Sequence, residues 1–203
     1  MSSLFTHLEI VGRCTIDECG AVRGALCYSV RGRRLRIFGD GDASQVQFHI
    51  GTTTRFTRIE CSSARPSVQR VHSNYLASDL EVVARGRATL LLPRADFARL
   101  YVWTSNQAAV YGWAGATCAA TASLAAENAS SIQGIALPGF GSVHAVQQAR
   151  IIVAASAPTT ILVTADETAT ALVGDFLDAA HCDPADCDLG GEWGAVHDTR
   201  LND

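Results

Sequence analysis

Two groups of residues have the types that metal or acid chemistry requires. His181, Cys182 and Cys187, with His197 further on, supply the thiols and imidazoles of which tetrahedral zinc sites are made. Four residues separate the two cysteines where the common pattern has two, so incidental thiols in a polar tail are the simpler account and no metal is assigned. Cys14 and Cys19 show the same gap. Asp40 and Asp42, in GDGD, would point to one side of an extended strand, as a carboxylate pair for glycoside cleavage must. The same four residues read first as a corner, because glycine supplies positive φ and aspartate bonds its local backbone.

Nucleophilic signatures are missing. Gly139-Phe140-Gly141-Ser142 lacks the closing glycine of a nucleophile elbow, and it follows Pro138 rather than a strand feeding a helix. No catalytic residue and no cofactor is therefore assigned. Aromatic side chains are the better lead. Tyr101 and Trp103 share one side of an extended strand, and Tyr111 and Trp113 repeat the same two-residue spacing. Buried, the four would form a core ladder; exposed, they would suit a sugar or a partner subunit, and they are the candidate binding residues.

The elements that would carry them are strands. Apolar residues fall in short runs rich in β-branched and aromatic types, such as Tyr101-Val102-Trp103 and Ile151-Ile152-Val153, separated by clusters of small and polar residues. Six ten-residue windows share an aliphatic or aromatic start, a small or polar turn and an aliphatic close. They begin at 37, 59, 81, 101, 123 and 152 and close on Val46, Val68, Leu90, Val110, Ile132 and Ile161. The closing residues are 22, 22, 20, 22 and 29 apart. A near-constant step is what a solenoid needs to bring equivalent residues over one another, and the long step, which contains LPGFGS at 137–142, reads as an outward bulge. HLEIVGRCTI (7–16) would stand one coil and a bulge earlier.

The expected fold is all-β: a single-domain parallel β-helix with coils of about 22 residues over 1–165, followed by a cap and tail over 166–203 in the same domain. Parallel crossovers are right-handed in nearly every case, so a right-handed solenoid is expected. A β-sandwich, which also gives short strands at regular spacing, is the alternative. Small residues should fill the inward corner positions, with Cys61 and Cys118 among them. Within 166–180, Leu172, Val173, Phe176 and Leu177 form a helical stripe behind an acidic turn, which predicts a short capping helix, with a terminal strand as the alternative.

Composition narrows the partners. All 16 basic residues are arginine, yet the net charge is −4 and the arginines are scattered, which argues against a nucleic-acid partner. No apolar run reaches the roughly 18 residues of a membrane span. The N-terminus has no secretory pattern, and seven cysteines is an odd number, so a reducing compartment such as the cytoplasm, or a virion, is expected.

FTHLEIVGRCTI (5–16) and ATLLLPRADFARLYVWTSNQAAVYG (88–112) resemble the opening and the middle of the auto-transporter adhesin head domain, the GIN family of bacterial proteins. The resemblance covers residues 5–165 and implies serine- and glycine-rich corners on β-helix coils, with no catalytic residues to carry over. This chain departs from it in replacing most motif glycines with Ala, Ser or Thr. The functional expectation is a non-enzymatic structural or interaction module that pairs with itself. The alternatives are a module that binds or cleaves carbohydrate, docks another protein, or serves as a viral coat or ancillary protein.

Overall fold

Strand-forming runs a little over twenty residues apart can bury their apolar side only by stacking on one another, and the chain does so. The computed structural model describes residues 5–40, 48–113, 117–155, 160–166 and 168–174. Its strands are β1 (His7–Arg13), β2 (Thr15–Ile16), β3 (Val22–Arg23), β4 (Ala25–Arg31), β5 (Arg34–Asp40), β6 (Phe56–Val71), β7 (Leu76–Leu91) and β8 (Ala95–Thr104). They continue as β9 (Ala109–Tyr111), β10 (Thr117–Ala126), β11 (Ser131–Leu137), β12 (Phe140–Ala145), β13 (Arg150–Ala155), β14 (Thr160–Ala165) and β15 (Thr170–Gly174). Among the described residues the one helical piece is a 3-10 turn at Ser73–Tyr75.

From β6 onward the chain is a parallel solenoid of about 5 turns with coils of roughly 21 residues. One ladder runs β4-β5-β1-β6-β7-β8-β10-β12-β14, and a second runs β3-β2-β6-β7-β9-β11-β13-β15. A short third ladder joins the starts of β8 and β10 to the ends of β11 and β13. All pairings within the coils are parallel, which excludes the antiparallel sandwich.

An inward row shows the register. Leu8, Ile59, Val82, Val102, Leu124, Val143 and Val163 are successive partners up the first ladder. From Ile59 the steps are 23, 20, 22, 19 and 20 residues. The corner that follows is built from small inward residues, as expected. Ala84, Thr104, Ala126 and Ala145 precede it and Ala88, Ala108, Ser130 and Ala149 close it, all buried. The polar members pair with each other, Thr104 Oγ1 lying 2.9 Å from Ser130 Oγ. Each corner turns on a residue with positive φ: Gly86 (71°), Asn106 (65°), Asn128 (60°) and Gln147 (62°). Asparagine tolerates that conformation better than most side chains. At Gly86 an added Cβ would meet Ser63 O at 2.2 Å, so glycine is required there.

Several expectations are corrected. Leu90, Val110 and Ile132 do occupy one register position on the second ladder, but Gln69 rather than Val68 aligns with Leu90. The next partner of Ile132 is Ile151, and Ile161 belongs to the first ladder opposite Gly141. LPGFGS is therefore not a bulge. Leu137 ends β11 fully buried, and Phe140 begins β12 after a tight corner. Cys61 is buried core, whereas Cys118 is only half-buried.

HLEIVGRCTI stacks directly on the coil of Ile59, because the segment after β3 folds back as the antiparallel β4–β5 hairpin and places β5 on the other side of β1. The first window opens in β5, where Ile37 pairs with Ile10, and its closing Val46 lies outside the described residues.

The expected capping helix is a strand over Thr170–Gly174, pairing parallel with β13. Leu172 and Val173, read as one helical stripe, fall on opposite sides of that strand. The reason is the open edge of β13, whose unpaired backbone groups are satisfied by a β-prone segment and not by a helix. Phe176 and Leu177 lie outside the described residues.

Leu124, 1% exposed at mid-stack, should on Leu124→Ala cost about 2–5 kcal/mol. Asn128→Ala should cost about 1 kcal/mol and Asn128→Gly less. Urea unfolding checks both, and a Gly variant weaker than the Ala variant would contradict the corner geometry.

Candidate interaction surface

The outward side of the first ladder divides into two regions. Near β1 it is charged. The register places His7 between Arg34 of β5 and Arg58 of β6, and Glu9 between Arg36 and Glu60. Arg34 Nε donates to His7 Nδ1 at 3.1 Å, and His7 Nε2 lies 3.4 Å from Glu60 Oε1. Arg58 donates to Glu60 at 2.7 Å and also bonds Glu81 of β7. Glu9 pairs with Arg36 at 3.1 Å and with Arg34 at 3.8 Å. Burial lowers the basicity of His7, with Arg34 and Arg58 acting in the same sense and Glu60 and Glu9 opposing them. Burial opposes ionisation of Glu60, but the bond and charge of Arg58 outweigh it and its pKa is lowered.

Beyond Glu81 the face carries few charges and sets aromatic and aliphatic side chains among Ser and Thr. Tyr101 is Glu81's partner on β8, followed in register by Ser123, Ser142 and Leu162. A second row runs Val83, Trp103, Ala125, His144 and Thr164. Tyr101, Phe140 and Leu162 are 48%, 45% and 59% exposed. Trp103 is half-buried and held. Its Nε1 donates to Glu127 at 3.0 Å, and the Arg85 guanidinium lies 5.0 Å over the ring.

The four aromatics expected as one patch are separated into two pairs. Tyr101 and Trp103 stand on the first ladder, while Tyr111 belongs to β9 on the second, between Leu91 and Gln133. Trp113 follows Tyr111, with Arg94 4.7 Å over its ring and its backbone N–H bonded to Thr117 Oγ1 at 2.7 Å. The corner at Thr104–Ala108 turns the chain between the pairs, and that turn was the signal in the sequence that they could not share a face. Phe140 and Leu162, not singled out in the sequence, are exposed on the outward side of the first ladder.

The carboxylates beside Tyr101 and Trp103 are each engaged: Asp79 by Arg99, Glu81 by Arg58 and Glu127 by the Trp103 indole. The bond from Arg99 lowers the pKa of Asp79. No group of three or more His, Cys, Asp or Glu side chains suited to a metal occurs among the described residues. Asp42, His181, Cys182, Cys187 and His197 lie outside them. No helix of the described residues is long and apolar enough to cross a membrane. Comparison with protein-family models, with curated proteins and with solved structures finds no match.

Burial pushes the Cys14 thiol up to about 12 and the Cys61 thiol higher still, whereas Cys19 and Cys27 are exposed. Alkylation of the native protein followed by peptide mapping should label Cys19 and Cys27 and spare Cys14 and Cys61. Trp103→Phe, which removes the bond to Glu127, should cost about 0.5–1.5 kcal/mol. Tyr101→Ala should stay within about 0.5 kcal/mol, since its ring is half in solvent. Denaturant unfolding of the two variants checks the difference.

Proposed function

We propose that this chain is a non-enzymatic structural or interaction module that associates with itself through the outward face of its first ladder. The observation that carries the reading is the exposed Tyr101, Phe140 and Leu162, standing among Ser123, Ser142 and Thr121 on a regular strand array. Residues of this kind on a flat face lose little conformational entropy on contact, and the small side chains between them let a partner approach the backbone.

Area favours a second copy as the partner. The apolar half alone spans on the order of 400 Å², the size of a single surface patch. The whole face, nine strands at ~4.8 Å and about 20 Å wide, offers roughly 750 Å². That is close to the ~800 Å² per partner of a stable complex. The charged half carries both signs, so an identical face can meet it without net repulsion. The resemblance to adhesin-head β-helices is consistent with a binding role.

Carbohydrate is the second reading, favoured by the exposed Tyr101 ring beside the Ser123 and Ser142 hydroxyls, which bond each other at 3.1 Å. Cleavage of a glycan is disfavoured because the carboxylates there are engaged, Asp79 and Glu81 by arginines and Glu127 by the Trp103 indole.

Sedimentation velocity under reducing conditions tests the proposal. The native chain, 21.5 kDa as a monomer, should sediment as an oligomer at micromolar concentration. Tyr101→Glu with Leu162→Glu should return it to monomer with unchanged circular dichroism. A native monomer across the whole concentration series would overturn the reading and leave glycan binding to be screened.

A further inference from the structure

The N-terminal hairpin is joined to the coils through a strand that is out of sequence order. On the first ladder, β5 pairs with β4 and with β1 only, so β1 alone connects the β4–β5 hairpin to β6. Leu8 and Ile10 fill the core beneath, fully buried. On the outward side the joint is made by His7 and Glu9.

His7 is the one side chain there whose type changes charge between pH 5 and 8. Its surroundings are complete on every side: Arg34 and Arg36 from β5, Arg58 and Glu60 from β6, Glu81 from β7 through Arg58, Glu9 from its own strand, and Arg31 of β4 opposite Arg34. Arg34 Nε–H points at Nδ1, so that nitrogen must hold a lone pair and the ring proton sits on Nε2, facing Glu60. Glu60 Oε1 is already taken by Arg58.

We propose that His7 is an acid-sensitive latch between the N-terminal hairpin and the solenoid. Neutral, it accepts from Arg34 and closes the β5–β1 seam. A proton added at Nδ1 turns that acceptor into a donor facing a donor, and sets a cation in register between the Arg34 and Arg58 guanidiniums. The attraction of Glu9 and Glu60 for the imidazolium is shared with three arginines already ion-paired with them, so the loss of the Arg34 bond dominates.

The direction of linkage follows. The folded state holds the His7 proton less tightly than the unfolded chain does, so the latch contributes fully above the unfolded value near 6.5 and is lost as pH falls through the lower folded value. The latch lies on the face proposed for self-association but concerns strands within one chain, so the exchange is also read in the Tyr101→Glu, Leu162→Glu chain, where the same loss should persist.

Hydrogen exchange by mass spectrometry on the full chain tests it, with protection corrected for intrinsic rates across a series from pH 7.5 to 5.0. Protection should fall severalfold at acid pH in peptides from β1, β4 and β5, while peptides from β10 to β13 hold theirs. His7→Gln, a neutral side chain that can accept from Arg34, should remove the pH dependence. His7→Lys should lose the same protection already at pH 7.5. Equal acid loss in the native chain and His7→Gln, or an acid loss spread evenly over the coils, would overturn the latch. Should a variant fail to fold, the native chain decides alone: a segment-specific loss with a midpoint below 6.5 supports the latch, and its absence overturns it.

Discussion

In a parallel coil each turn has to set its inward residue over that of the turn before, at the strand spacing of ~4.8 Å, while every backbone group finds its partner in the neighbouring coil. The row from Leu8 to Val163 meets that constraint, and the other features follow from it. Corners have to be narrow, hence the buried Ala, Ser and Thr at each of them. The chain has to reverse direction in few residues, hence Gly86, Asn106, Asn128 and Gln147 at positive φ. Side chains that point away from the core are ordered into straight outward rows, so any surface the protein offers is a register pattern. Because each coil touches only its neighbours, stability is close to a sum over coils and interfaces, and the first coil is only as firm as what covers it.

The N-terminal cover explains why charge is concentrated at that end. The β4–β5 hairpin is antiparallel and contributes Arg34 and Arg36 to a joint in which β1 supplies His7 and Glu9, and β6 supplies Arg58 and Glu60. At the joint the outward positions carry ion pairs of opposite charge in place of apolar packing. The apolar rows begin where those pairs end, past Glu81. The division of one face into a cross-linked half and an apolar half thus has a structural origin before it has a functional one.

Much of the fold was legible because its constraint is periodic. Leu90, Val110 and Ile132 were placed correctly by spacing alone, and Cys61 by its small size at a corner. Val68 and Ile161 were misplaced for one reason: an aliphatic residue in a window does not say on which ladder it lies, and Gln69 and Ile151 hold the register instead. The helical stripe at Leu172 and Val173 gave way to the open edge of β13, a demand that no local pattern encodes. The charged joint was hidden altogether. His-x-Glu, Arg-x-Arg and Arg-x-Glu are visible as alternating pairs at 7–9, 34–36 and 58–60, but their meeting requires β1 to lie between β5 and β6, an order that runs against the sequence. Of the four aromatics, Tyr101 and Trp103 share one strand face as their spacing predicted, and the corner separating them from Tyr111 and Trp113 was not weighed.

The central claim is the parallel register, and nuclear Overhauser contacts between backbone amide and α protons test it most directly. The account predicts interstrand contacts linking Val102 to Leu124 and Leu124 to Val143, steps of 22 and 19 residues, with the same pattern carried from Val110 to Ile132 and on to Ile151. Close α-to-α proton contacts between these strands, the mark of antiparallel pairing, would contradict it.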